Sequence, residues 1–442
     1  MSKRIIKNAQ LVNEGKVYSA DVLINEGRIE KIDSVIDESG EEINGENLHL
    51  FPGVIDDQVH FREPGLTDKG CIKTESLAGV AGGTTSFMEM PNVIPPTLSK
   101  DLWDEKNQIA ARDSLANYSF YMGTSNSNID DIKAIDKTEV CGVKVFMGSS
   151  TGNLLVDDPK ALEEIFTHSP VPIATHCEDT PMILEKEEEY KAKYGEDLDF
   201  GFHSEIRSRE ACIKSTKKAI ELANSFDAEL HVLHLTTKEE VELFSDKSIE
   251  EKKITCEVCV PHIIFSQKDY EEKGPIIKCN PSIKSEEDLE ALKQGLKDGR
   301  IDYLATDHAP HLSEEKKNTY FSCPSGMPSV QHSFLVALEL FHSNFMNLED
   351  IPEITSHKVA KRFKVQDRGF IREGSWADLV LVDLSKPYEV TQENVMYKCG
   401  WSPFDGFTFN STIKETIING ETKFRDGEII SDQKGQKLIF SR

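Results

Sequence analysis

The chain has 442 residues, a hydrophobic fraction of 38% and a formal net charge of −26. That length accommodates one large domain and a smaller one, with enough apolar side chains for a sizeable core. The acidic balance argues against a nucleic-acid or acidic-membrane binder, so an anionic ligand requires a local cluster of positive groups.

The N-terminus, MSKRIIKNAQLVNEGK, carries no long apolar run, and no stretch reaches membrane-span length; both features predict a cytoplasmic protein. Residues 1–50 then read as short strands with Gly turns, IIKNAQLVN, ADVLINEGRIEKID and ENLHLF. Residues 365–442 have the same texture, in GFIREGSWADLVLVDL, KETIINGETKF and GEIISDQ. The two ends are expected to be halves of one small β-domain separated by a long insertion.

The insertion, residues 51–364, alternates short apolar strands with helical stretches. GVIDDQVH, GTTSFMEMP, NYSFYMGTS, CGVKVFMGS, VPIATHCED, ELHVLHLTT, KITCEVCVP and IDYLATDHAP are the candidate strands. Helices are expected in KTESLAGVAG, DLWDEKNQIAARDSL, REACIKSTKKAIELANSF and EEDLEALKQGLKDG. Eight such units predict an α/β fold of the (β/α)8 barrel type, in which functional groups come from the C-terminal ends of several strands.

Unusual polar residues sit where that rule puts them. FPGVIDDQVHFREPG ends in polar side chains before the turn at Glu63-Pro64-Gly65. Strict alternation would set Asp56, Gln58, His60 and Arg62 on one face and Ile55, Val59 and Phe61 on the other. Asn92 follows the second strand, Lys144 lies within the fourth, His176 ends the fifth, His234 the sixth and Asp307 the eighth. His60, His176, His234 and Asp307 form a plausible ligand set for Zn2+. Lys144 joins that set if its amine has reacted with CO2 to give an anionic carbamate; the alternative is an inward lysine paired with a carboxylate. His231, three residues before His234 on a strand, is expected to face the other side as a packing residue. His308 should point away from Asp307, and His311 lies on a loop able to fold back over the mouth. Nine dispersed cysteines suggest reduced thiols, with Cys256 and Cys259 as buried structural ones.

Taken together, the first-strand pattern, GVKVFM, THCED, HVLHLTT and TDHAPH resemble the cyclic amidohydrolase superfamily. HFREPG with Arg62, EMPN with Asn92, KCNPSIK with Asn280 and DHAPH are most similar to dihydroorotases, and GSWADLVLVD and GWSPFDG match the family's small β-sandwich. The resemblance implies a carboxylated Lys144 bridging two zinc ions, with His176 and His234 on one metal and His60 and Asp307 on the other. It implies Arg62, Asn92 and His311 on the substrate's carboxylate, Asn280 on its ring, and a homodimer. It further implies reversible hydrolysis of L-dihydroorotate to N-carbamoyl-L-aspartate, with Asp307 moving the proton to the leaving ring nitrogen. One departure stands out: Gln58 occupies the place of the family's first histidine, so it is either a weak ligand, replaced by water, or a sign that one metal site alone fills. A hydantoinase- or allantoinase-like enzyme and a non-catalytic structural partner are the alternatives. The loops MGSSTGNLLVDD and NTYFSCPSGMPS are expected to flank the pocket mouth.

Overall fold

The computed structural model describes residues 3–147, 154–156 and 158–442. Most of the loop MGSSTGNLLVDD therefore lies outside the described residues. The eight expected strands form a parallel barrel: β1 Val54–Val59, β2 Thr84–Glu89, β3 Asn117–Phe120 with Met122–Gly123, β4 Val143–Phe146, β5 Ile173–His176, β6 Leu230–Val232, β7 Ile254–Cys259 and β8 Tyr303–Ala305. Each pairs in parallel with the next, and a parallel bridge from Val59 to His308 closes the ring. These strands are short and buried on both faces, as parallel barrel strands must be.

Helices pack outside the strands because their apolar residues recur at helical spacing. Glu286–Asp298 shows the logic. The Ser285 hydroxyl accepts from the Asp288 backbone N–H, Leu292, Gly295 and Leu296 face the barrel, and Gly299 at φ 76° ends the helix in the left-handed conformation. The floor of the barrel is plugged from the opposite end. Ile55, Met88, Tyr121 and Tyr303 pack with Val359 and Phe363 from the helix Lys358–Phe363.

Both chain ends build the small β-sandwich domain. Its main sheet runs, in spatial order, Glu428–Ile429, Glu421–Arg425, Thr412–Ile418, Leu379–Asp383, His49–Pro52, Arg4–Asn13, Lys16–Asn25 and Arg28–Asp33, with Glu41–Asn44 beside Arg4–Asn13. Strand His49–Pro52 runs through Gly53 straight into β1. A Cβ on Gly53 would lie 2.2 Å from Thr85 Oγ1, so the junction requires glycine. A buried network joins the two units: Asn117 on β3 donates to Asp378, Asn419 donates to Asn117, and Arg368 pairs with Asp378.

β1 departs from strict alternation. Its register against β2 shifts between Asp56 and Val59, a bulge that re-aims side chains. Ile55 therefore joins the floor cluster, and Asp57 bonds Tyr303 inside the barrel. Asp56 turns to β8, where its carboxylate accepts from the Thr306 hydroxyl at 2.6 Å. Asp56 thus secures the seam between the first and last strands, and does not share a face with Gln58 and His60.

Candidate active site

A cavity of about 540 Å3 opens at the C-terminal ends of the strands. Gln58, His60, Arg62, Asn92, Lys144, His176, His234, Asn280, Asp307 and His311 all line it. Residues scattered over more than 250 positions of sequence thus meet at one end of the barrel: most stand at or just beyond the end of a strand, Lys144 points in from within β4, and Asn280 is brought in by the long segment that follows β7. Arg62 (φ 71°), His234 (φ 39°) and Asp307 (φ 48°) adopt left-handed backbone conformations. Side chains other than glycine pay of order 1–3 kcal/mol for such a conformation, and such residues cluster at functional sites.

Two pairs of donor atoms converge. His60 Nε2 lies 3.0 Å from Asp307 Oδ1, and His176 Nδ1 lies 2.9 Å from His234 Nε2. His234 Nδ1 is buried without a hydrogen-bond partner among the described residues. Burial pushes the pKa of His60 and His234 down and so favours the neutral imidazole, which has one nitrogen lone pair, at both. Neutral imidazoles beside a carboxylate are a donor set that fits a divalent metal. Lys144 is fully buried, and desolvation lowers its pKa to about 8. Roughly a tenth of its amine is therefore uncharged at pH 7, far more than for an ordinary lysine.

Gln58 occupies both ends of its amide. Its NH2 donates to Asp307 Oδ1 at 3.2 Å, and its oxygen accepts from the Cys259 thiol at 3.3 Å. It thus turns a donor, not a lone pair, toward Asp307. Cys259 is buried as expected and stands directly behind Gln58.

The other wall is positive. Arg62 Nε donates to the Pro310 carbonyl at 3.1 Å, and Nη2 lies 3.2 Å from His311 Nε2. Among the described residues no carboxylate lies within ion-pairing distance of this buried guanidinium. Burial, Arg62 and Lys69 hold His311 neutral, with its pKa far below the usual imidazole range. Asn92 gives its carbonyl oxygen to His60 Nδ1 at 2.7 Å, leaving its NH2 end as the group able to donate to a ligand. His308 points away from the cavity, onto Glu75 at 2.9 Å.

Several residues escaped the sequence reading. Lys69 lines the cavity, 3.2 Å from His311 Nδ1 and 2.7 Å from Glu315; its place shortly after the EPG turn was the available signal. Glu178 accepts from His176 Nε2 at 2.9 Å and from Arg207 at 2.6 Å. Its spacing of two from His176 in THCED was a usable clue. Lys278 and Lys316 donate to backbone carbonyls of the segment Tyr320–Gly326, which carries Pro324, Ser325 and Gly326 to the cavity wall. Inside the barrel, His231 stacks on Tyr303 and lies 3.2 Å from Glu257 and 3.6 Å from Asp57. Those three side chains form a second buried group able to hold a metal ion. Burial and mutual repulsion also raise the pKa of Glu257, which suits a shared proton there.

Comparison with known proteins agrees with this geometry. The model of the amidohydrolase family matches residues 49–423. A dihydroorotase of Methanosarcina acetivorans is 32% identical over 439 residues, covering 96% of this chain and 92% of its own. An allantoinase of Bacillus velezensis is 31% identical over 431 residues, covering 96% and 94%. Among solved structures, the L-hydantoinase (dihydropyrimidinase) of Arthrobacter aurescens superposes with a TM-score of 0.94 at 26% identity, over 99% of this chain and all of that one. With the family model covering most of its length and the barrel presenting these side chains at its mouth, the chain belongs to the amidohydrolase family.

Proposed function

We propose that the protein is a zinc-dependent dihydroorotase, which opens the ring of L-dihydroorotate to N-carbamoyl-L-aspartate and closes it in the reverse, pyrimidine-building direction. The observation that carries this reading is Arg62: a buried guanidinium at the cavity wall whose partners among the described residues are a carbonyl and an imidazole, with no carboxylate. A buried cation without an anion calls for an anionic ligand, and the planar fork of arginine suits a carboxylate. Dihydroorotate carries a ring carboxylate, whereas simple hydantoins and allantoin do not.

In this reading His176, His234 and a carbamate formed from CO2 on Lys144 hold one zinc ion, and His60 and Asp307 help to hold a second. Zinc at such a site supplies an acidified water and polarises a carbonyl. Asp307, the carboxylate that lines the cavity, takes a proton from the attacking water and passes it to the leaving ring nitrogen. Arg62, His311, Lys69 and the Asn92 NH2 orient the substrate through its carboxylate, and Asn280 reads the ring. Because Gln58 faces Asp307 with its NH2, the site built on Lys144, His176 and His234 fills first. The dihydroorotase among the relatives supports this substrate; the allantoinase and the hydantoinase fold support the same ring-opening chemistry on other rings.

The test is hydrolysis of L-dihydroorotate by purified protein supplied with zinc and bicarbonate. Turnover supports the proposal. A folded protein with metal bound and no turnover of any cyclic amide would point instead to a non-catalytic partner of another enzyme.

A further inference from the structure

Arg207 lies outside the cavity lining, yet it reaches both halves of the site. It sits just before the N-cap Ser208 of the helix Arg209–Phe226 and is 6% exposed. Its Nη1 donates to Glu178 Oε2 at 2.6 Å. Glu178 is fully buried, and that same oxygen accepts from His176 Nε2 at 2.9 Å. Its Nη2 lies 3.2 Å from the Asn280 amide oxygen, in the orientation in which the Asn280 NH2 donates to Ser325 Oγ and the Cys279 carbonyl, each at 3.1 Å.

We infer that Arg207 and Glu178 form one positioning unit that couples the orientation of His176 to that of Asn280. The inference rests on the proposed reading of His176 as a metal ligand and Asn280 as a substrate contact. Glu178 accepts the Nε2–H of His176, which holds the proton there and leaves the lone pair on Nδ1, the atom facing His234 Nε2. Arg207 closes on the same Glu178 oxygen at 2.6 Å and so fixes the buried carboxylate in place. The guanidinium is rigid and planar, so fixing one arm on Glu178 fixes the other on Asn280. Whatever seats the ring against Asn280 therefore steadies the imidazole that presents Nδ1. Since linkage is reciprocal, metal and ring ligand should each tighten the other by the same factor.

The experiment measures zinc affinity by competition with a chromophoric chelator, alongside KM and kcat, for the full chain and for Arg207→Met and Arg207→Lys. Nitrogen NMR of the metal-free wild type reports the His176 tautomer. Outer groups that orient a metal-ligating histidine are typically worth about 10–100-fold in affinity, and Arg207→Met should lose that much. Arg207→Lys keeps the charge on Glu178 but has a single arm, so it should retain most of the zinc affinity while KM rises several-fold. The metal-free wild type should carry the His176 proton on Nε2. The inference is overturned by a proton on Nδ1, by wild-type zinc affinity in Arg207→Met, or by equal losses of zinc affinity in the Met and Lys variants. In each of those cases the wild type still binds zinc; failure of the wild type itself to bind zinc would overturn the underlying reading as well.

Discussion

Arg62→Met isolates the reason for choosing a carboxylate-bearing ring. The side chain is buried, donates to the Pro310 carbonyl, meets His311 and has no carboxylate partner among the described residues. Methionine fills similar space and tolerates φ 71° no worse than arginine does, since both carry a Cβ. The variant also removes a buried charge that has no counter-ion among the described residues, so folding should survive. Hydrogen bonds to charged groups are worth about 1.5–3 kcal/mol each. Two lost from a bidentate clamp amount to roughly 3–6 kcal/mol, or about two to four orders of magnitude in kcat/KM. Arg62→Lys keeps the charge and loses the fork, so a loss of about tenfold is expected. The assay compares kcat/KM on L-dihydroorotate for wild type and both variants, with a thermal melt to confirm folding. A folded Arg62→Met enzyme within about threefold of wild type would show that Arg62 does not hold the substrate's carboxylate.

Gln58→His removes the amide that bridges Cys259 and Asp307 and adds an imidazole; metal analysis should show more zinc per chain, and an unchanged count would mean that Gln58 does not limit occupancy. Phe363 is fully buried under the barrel floor, against Tyr121 and His231. Phe363→Ala should cost about 3–5 kcal/mol in denaturant unfolding, whereas a cost below about 1 kcal/mol would place it outside the core. Burial lowers the Lys278 pKa to about 8 against an ordinary value of 10.5. The folded state therefore sheds this proton before the unfolded state does, and the lysine's contribution to stability rises as pH climbs from about 8 to about 10.5, by up to about 3 kcal/mol. Lys278→Met should flatten that rise in unfolding experiments at pH 7.5 and 10; identical slopes for the two proteins would contradict the assignment.

The barrel was legible in the sequence because eight short apolar runs alternate with helical stretches, and because barrel strands buried on both faces leave a distinctive texture. The polar ends were legible for a related reason: His176, His234 and Asp307 interrupt apolar runs where a barrel opens. Local backbone irregularity was not legible. The bulge in β1 sends Asp57 to Tyr303 and Asp56 to Thr306, and strict alternation has no means of marking it. Long-range partners were equally hidden. Nothing local ties Arg207 to Asn280, or Lys278 to the carbonyls of Tyr320 and Cys323, because those contacts exist only once separate loops share the barrel mouth. The orientation of Gln58 is of the same kind, since it depends on Cys259 from β7 and Asp307 from the end of β8.

The most direct measurement is the ratio of kcat/KM for L-dihydroorotate to that for a hydantoin and for allantoin, with one zinc- and bicarbonate-loaded preparation. The buried Arg62, without a carboxylate partner among the described residues, predicts a preference for dihydroorotate of at least about a hundredfold. Equal turnover of the rings, or a preference for one without a carboxylate, would contradict the carboxylate clamp and with it the proposed substrate.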